Sequence, residues 1–428
     1  MIRLNLAPPM HQLLAGELLP EGPVVLSLGM GLESTAILAR WLLDPSSRPF
    51  ELSRLVVMVA HTGDEWAETY TLTERHVLPL LAEHGVRFIQ CARTGQGTRA
   101  ADCVILDDSR APAQLLHADP RVFPLSAEWR RAGTIQPSGG TRKCSIKAKG
   151  WPLDFAQRAL LAELDASAYT HVLGFNAQEL GRVRKDASYG GLDGVERSTW
   201  YPLLDWGWGR DECTEYLLGA LGVDWPKSCC VQCPFAGQGA ERGCMEARYR
   251  AQPDQAAFVA DLELAALAFN PRMALYGERA MSAGLTDEAR ELLDARRAAG
   301  TWGVWRVRRA WNGSATPPRA LELVTEHADQ ATAEAALRQR QPGAVRDGHG
   351  ILRAMLAGRP KDRAEGGTYG LEEAWVVAPS TAGSTKVNAA FANASARLGE
   401  TARAADVLGR ALAHLASPPT SPGQLPLF

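Results

Sequence analysis

A mixed α/β fold with a parallel sheet in the N-terminal half, followed by a helical and mixed C-terminal region, is predicted by three observations. An apolar strand, Val24-Val25-Leu26-Ser27, runs into the glycine-punctuated turn Leu28-Gly29-Met30-Gly31 and then into helical sequence from Leu32. A second apolar, β-branched run at residues 55–60 is followed by helical periodicity over 67–83, and two βα units in succession imply strands that lie parallel. At 428 residues with 46% hydrophobic side chains, the chain is too long for one ordinary domain and has ample apolar material for two or three.

The first turn is built to hold an anion. Gly29 and Gly31 allow positive φ and close approach of the backbone to a ligand. Ser34 and Thr35 are placed to cap the new helix, whose free N–H groups and positive dipole end face the same point. With Ser27 and Met30, these residues form a candidate phosphate cradle. No Gly-Lys-Ser/Thr follows, so the turn is not a Walker A loop, and the three-glycine dinucleotide spacing is absent. The second strand ends in His61-Thr62-Gly63-Asp64-Glu65, and residues 86–91 read as a third strand. Residues 170–174 form a further strand that opens into the loop Gly174-Phe175-Asn176-Ala177-Gln178-Glu179-Leu180-Gly181-Arg182, and Tyr201-Pro202-Leu203-Leu204-Asp205-Trp206 precedes a helix beginning near Arg210.

Beyond Cys244 the texture changes. Residues 254–268 and 286–299, rich in Ala, Leu, Glu and Arg, read as helices. Residues 302–311 read as a strand whose Trp302, Trp305 and Trp311 belong in a core rather than on a base-stacking surface. Helical sequence returns at 331–340 and 389–416, around a short strand at 374–377. Residues 417–423 have linker composition and deliver Gln424-Leu425-Pro426-Leu427-Phe428. The expected organisation is a nucleotide-binding domain over 1–248, a helical extension over 249–300, a mixed region over 301–416 and a tail over 417–428.

The formal net charge of −2 with 22% charged residues lacks the bulk basicity that announces non-specific nucleic-acid binding. Basic residues do cluster at Arg142, Lys143, Lys147 and Lys149, and at Arg182, Arg184 and Lys185. Without a membrane-length apolar run or a signal-peptide core, a cytoplasmic, reducing compartment is expected. Eight cysteines in such a chain read as metal ligands or redox groups where they cluster. Cys230-x-x-Cys233 with Cys244 eleven residues on supplies three thiolates, and Cys144 is the best fourth, although Cys229 can substitute for Cys230. Four thiolates suit a [4Fe-4S] cluster or tetrahedral zinc, and unligated core cysteines are the third reading. Cys91, Cys103 and Cys213 read as small buried hydrophobes.

These segments together resemble the PP-loop ATP pyrophosphatase superfamily, an adenine nucleotide alpha hydrolase-like fold, in the variant "S-x-G-G-G-x-x-S-T" of phosphoadenosine phosphosulfate (PAPS) reductase relatives. Glu33 stands for the usual aspartate and Leu32 for a frequent lysine. Residues 61–70 resemble the family's "N-T-G-x-E-x-x-E-T-Y/L" segment, the Gly174 loop its "G-x-R-x-x-E-S-x-x-R" loop with Asn176 at the arginine position, and residues 201–206 its "P-L/I-x-D-W" stretch. The match spans residues 24 to about 245. Arg142-Lys143-Cys144-Ser145 through Pro152 resembles the "R-x-C-T-x-x-x-K-x-x-P" segment of sulfurtransferase-like subunits from DNA phosphorothioation systems, a branch whose cysteines hold a [4Fe-4S] cluster. The C-terminal peptide resembles the Q-L-x-L-F ligand of the bacterial sliding clamp, engaged through Gln424, Leu425, Leu427 and Phe428.

The resemblance implies ATP-dependent adenylation followed by sulfur transfer onto DNA or a nucleic-acid component. Pyrophosphate would lie in the cradle with Mg²⁺, near Glu33 and Asp64, while Arg182 and Lys149 offer positive charge and His61, Gly174 and Glu179 line the nucleotide site. A cysteine desulfurase is a conceivable sulfur source. The alternatives are reduction of a sulfonucleotide such as PAPS, disfavoured by the lack of a cysteine after Cys244, and a nucleotide-binding module with a degenerate loop recruited to DNA.

Overall fold

The computed structural model describes residues 19–97, 102–137, 142–187, 192, 194–237, 242–276, 280–314, 317–360, 362–363, 367–384 and 389–398. The chain divides into two compact units, Met1–Trp129 with Gln136–Tyr249, and Arg130–Ile135 with Arg250–Phe428. The helical stretch after residue 250 therefore clusters with the mixed region that follows it.

The first unit is built on a six-stranded sheet. Its strands are β1 (Val24–Ser27), β2 (Leu55–His61), β3 (Arg87–Arg93), β4 (Cys103–Ser109), β5 (Ala168–Val172) and β6 (Glu196–Trp200), in the spatial order β4-β3-β2-β1-β5-β6. All neighbours are parallel except β3 and β4. β1 is central, with Val24 opposite Leu55 on one side and Thr170 on the other. Alternate residues serve opposite faces. Leu26, Val57 and Phe88 join Ile37, Leu38 and Trp41 of helix α1 (Leu32–Leu43), whereas Val25, Met58 and Ile89 join the helix at Trp151–Glu163 through Ala156, Leu160 and Leu161. Helices on both faces explain why the inner strands read as unbroken apolar runs. Each fully buried Leu, Ile or Val contributes roughly 1.5–3 kcal/mol.

Between β2 and β3 the helical sequence is α2 (Ala67–Leu72) and α3 (Leu78–Glu83), joined by a π-helical turn at Thr73–Val77. Pro79 is the cause, since it has no N–H for the i−4 carbonyl and the ladder shifts register ahead of it. The same device recurs before Pro152, where a π turn at Ile146–Gly150 leads into α5 (Trp151–Glu163), the helix after α4 (Leu125–Ala132). Helices α6 (Leu180–Ala187), α7 (Arg210–Leu221) and α8 (Arg242–Ala251) follow.

The second unit pairs helices α9 (Pro253–Phe269) and α10 (Asp287–Ala298) with an antiparallel sheet. Its strands β7 (Trp302–Asn312), β8 (Arg319–His327), β9 (Val345–Arg346), β10 (Leu352–Ala357) and β12 (Gly367–Pro379) run in the order β8-β7-β12-β10-β9, with β11 (Asp362–Arg363) paired to β12. Trp305, Val307 and Val376 pack against α9, whereas Trp302, Val304 and Val377 pack against Ala333 and Leu337 of α11 (Gln330–Arg340). Trp302, Trp305 and Trp311 are 1%, 1% and 5% exposed, which makes them core residues. Among the described residues no helix is long and apolar enough to cross a membrane. The peptide at residues 424–428 lies outside the described residues.

Candidate functional site

The strand order reverses direction at β1, which has β2 on one side and β5 on the other. In open α/β sheets ligands bind beyond the carboxyl ends of the strands at such a switch point. The turn after β1 and the Gly174 loop after β5 meet there. An added Cβ on Gly174 would stand 2.9 Å from the backbone nitrogen of Ser34 and 3.1 Å from its Cα, so only glycine lets this loop lie against the first turn of α1.

The turn departs from expectation in two respects. The left-handed residue is Met30 (φ 55), whereas Gly29 and Gly31 are not among the positive-φ glycines. Gly31 instead makes room for Ser228, since a Cβ there would meet Ser228 Oγ at 2.5 Å and displace that hydroxyl. The N-cap is Gly31 (φ −95), without a side-chain cap, rather than Ser34 or Thr35. Ser34 Oγ accepts from the Gly29 N–H at 3.1 Å and donates to the Gly31 carbonyl at 3.3 Å, bracing the turn from inside. Thr35 Oγ1 is buried with no partner. Two groups distant in sequence hold the outer side: Trp225 Nε1 donates to the Met30 carbonyl at 3.1 Å and Ser228 Oγ to the Gly29 carbonyl at 3.2 Å. These carbonyls are tied back and the start of α1 has no side-chain cap, and an uncapped helix N-terminus has the polarity an anion needs.

Glu33 Oε1 is engaged by Asn176 Nδ2 at 3.3 Å and by Arg210 at 3.7 Å. Asn176, at the position where the resembled family has arginine, thus links the two loops. Glu179 pairs with Arg182 at 2.6 Å, and the Arg182 guanidinium lies 4.4 Å above the Phe175 ring.

On the β2 side, His61 is 1% exposed and its Nε2 lies 2.9 Å from Gln90 Oε1. Burial pushes its pKa down to about 4 despite that hydrogen bond, so the ring is neutral, with Nδ1 unpartnered. Asp64 accepts from the Ser126 N–H at 2.6 Å, Ser126 Oγ at 2.8 Å and Gln232 Nε2 at 2.8 Å. Burial raises its pKa, but these bonds engage both carboxylate oxygens, and Asp64 fastens the Gln232 segment to β2. Glu65 forms an ion pair with Lys149 at 2.8 Å, with side chains 1% and 32% exposed. Burial opposes charge on Lys149, but Glu65 and the nearby Cys230 and Cys233 thiols outweigh it and hold its pKa above the usual ammonium range.

The thiols collect around this pair. Cys230 Sγ lies 3.5 Å from Thr62 Oγ1 and 4.0 Å from Glu65 Oε1, and its backbone bridges to Glu65. Burial, then Glu65, pushes the Cys230 thiol well up, and Cys233 adds to the rise at both Cys230 and Cys144. Cys229 contacts Met245 at 3.9 Å and is pushed up to about 12 by burial first and Cys233 next. Soft thiolates of this kind suit iron–sulfur or zinc. Cys144, Cys230 and Cys233 occupy one electrostatic neighbourhood, whereas Cys244 is exposed in the first turn of α8, and among the described residues no three His, Cys, Asp or Glu side chains converge into a metal-binding group. Cys91 and Cys213 are buried as expected, but Cys103 is only partly so.

Sequence reasoning missed the residues that brace the cradle: Trp225 and Ser228 behind it, and His171, Arg197 and Asp186 beneath it. The signal available was slight, a histidine next to Thr170 in the strand β5 and an arginine in the polar strand β6. No protein-family model matches the chain, and no curated protein matches it at a significant level.

Proposed function

We propose that the first unit is a PP-loop, PAPS reductase-like module that binds the phosphate end of an adenine nucleotide at the β1 turn, activates a substrate oxygen by adenylation and supports sulfur transfer onto DNA or a nucleic-acid component. The observation that supports this most is the meeting of the β1 turn and the Gly174 loop at the switch point, with the Gly29 and Met30 carbonyls bonded to Ser228 and Trp225. In the reaction the substrate oxygen attacks the α-phosphorus, the bond to the β-phosphate oxygen breaks, and pyrophosphate leaves. A sulfur nucleophile then displaces AMP. Oriented N–H donors stabilise the negative charge that develops on pyrophosphate.

Magnesium suits Glu33 better than Asp64. Glu33 presents Oε2 toward Gly31 while Asn176 and Arg210 address Oε1, whereas both oxygens of Asp64 are already bonded. Arg182 and Lys149 are the cations assigned to phosphates, and each is already paired with a carboxylate, Glu179 or Glu65. A [4Fe-4S] cluster, or zinc, would be held by Cys144, Cys230 and Cys233 with Cys244; when bound, a cluster supplies a site for holding or relaying sulfur. The engagement of Glu33 by Asn176 favours a second reading, a nucleotide-binding module without turnover.

Pyrophosphate release from ATP, measured anaerobically with and without DNA, separates the readings. Release stimulated by DNA supports adenylation, and binding without release supports the module. Sulfite release from a sulfonucleotide without ATP replaces both with a reductase. Recruitment to a sliding clamp through Gln424, Leu425, Leu427 and Phe428 belongs to the same proposal; deletion of residues 424–428 abolishes clamp binding, and unchanged binding refutes it.

A further inference from the structure

A line of buried polar side chains runs from α6 to the last residue of β1. Asp186 accepts from Arg197 Nη2 at 3.1 and 3.0 Å and from Tyr201 Oη at 2.8 Å. Arg197 in turn donates to His171 Nδ1 from Nε at 3.1 Å and approaches it with Nη2 at 3.0 Å. His171 Nε2 lies 2.8 Å from Ser27 Oγ. The side chain of Arg197 is 6% exposed, and His171 is buried opposite Val25 in the parallel ladder.

The chemistry of the donors fixes where the protons are. A guanidinium has no acceptor, so Nδ1 of His171 must accept, and a neutral ring that accepts at Nδ1 carries its proton on Nε2. Burial first, and Arg197 second, keep the ring neutral by driving its pKa well below the ordinary histidine value. The Nε2–H therefore donates to Ser27 Oγ, and the Gln157 amide, 3.3 Å from Nε2, must then turn its oxygen toward the ring and its nitrogen toward Tyr169 Oη. A hydroxyl has one proton and two lone pairs; with a lone pair occupied from below, the Ser27 proton is left for another acceptor. Ser27 ends β1, one residue before the turn described above.

We propose that Asp186, Arg197 and His171 are positioning residues that fix Ser27 as a hydrogen-bond donor to the anion held at the β1 turn, the phosphate or pyrophosphate end of a nucleotide. The inference rests on the nucleotide reading and adds to it a fixed proton polarity: the site selects a ligand atom that accepts at Ser27 and rejects one that donates there. His171 does not touch the ligand and acts only through Ser27.

The test is calorimetric titration of the full chain with inorganic pyrophosphate. Ser27→Ala weakens binding about tenfold, the loss of one hydrogen bond to a charged group. His171→Leu weakens it by a similar factor, whereas His171→Gln, whose amide N–H can replace Nε2–H, stays within about threefold of the parent. The double variant Ser27→Ala/His171→Leu binds no more weakly than Ser27→Ala alone, because His171 has no other route to the ligand. A double variant whose losses multiply overturns the inference, since His171 would then act through the fold at large. Equal binding by the parent and Ser27→Ala also overturns it while leaving the nucleotide reading intact. A parent chain that fails to bind pyrophosphate removes both.

Discussion

Replacing Lys149 with methionine isolates the energetics of the Glu65–Lys149 pair. Glu65 is 1% exposed and one of its oxygens has no partner even in the intact protein, so the substitution leaves a buried carboxylate beside the Cys230 thiol. Breaking a buried ion pair by deleting one partner costs about 3–5 kcal/mol. Lys149 itself retains 32% exposure, which places the expected loss near the lower end, about 3 kcal/mol. Glu65→Gln costs less, about 1–2 kcal/mol, since the amide still accepts from the ammonium. The double variant Glu65→Gln/Lys149→Met recovers most of the loss because no charge remains buried. Urea unfolding read through Trp66, which is fully buried beside Glu65, reports the change; with a slope of about 3 kcal/mol/M, the Lys149→Met midpoint falls by about 1 M. A Lys149→Met protein within about 0.5 kcal/mol of the parent, the range of an ordinary surface substitution, would refute the account of this pair.

Three further outcomes are expected. Gly174→Ala forces a methyl onto the Ser34 backbone and costs about 1–3 kcal/mol as overpacking; Gly181→Ala, inside α6 with open space around it, stabilises by a few tenths to about 1 kcal/mol, and equal effects in thermal melts would contradict the loop contact. His61, with its pKa depressed from 6.5 to about 4, gives a folded state that refuses a proton the unfolded chain takes up. Its contribution is complete above about pH 6.5 and is lost as the pH falls toward 4, roughly 3 kcal/mol over that window; His61→Leu flattens the acid limb of the stability profile, and identical limbs would disprove the assignment. Anaerobically purified protein contains iron with visible absorption, which Cys144→Ser, Cys230→Ser or Cys233→Ser removes and Cys213→Ser leaves intact; full metal retention by Cys144→Ser breaks the proposed ligand set.

The parts of the molecule that could be read from sequence are those where one local pattern has one physical solution. Val24–Ser27 and the helix after it were legible because a fully buried parallel strand must be continuously apolar and must end in a turn before a helix. β6, with the sequence Glu-Arg-Ser-Thr-Trp, was not, because an edge strand needs burial only at one end and reads as polar loop. Residues 67–83 read as one helix, and the π turns before Pro79 and Pro152 were not legible, since the register shift depends on which carbonyl the helix abandons. The cradle was legible as a glycine turn, yet its left-handed residue is Met30, and the Trp225 and Ser228 side chains that bond the Met30 and Gly29 carbonyls arrive from some 200 positions away. Charge clusters were the least reliable guide: Arg182 and Lys149 are engaged by carboxylates that sequence alone gave no means of pairing with them.

The reversal of strand order at β1 also has a temporal side. The glycine turn is synthesised early, but its wall at Gly174, the ring beneath Ser27 and the guanidinium that orients that ring are at residues 171–197, and the groups that hold back its carbonyls come at 225 and 228. A growing polypeptide therefore exposes an unfinished cradle until more than half its length has left the ribosome. The proposed phosphate affinity should therefore switch on only after β5, β6 and the segment carrying Trp225 and Ser228 have all docked, and long-range closure of this kind is slow.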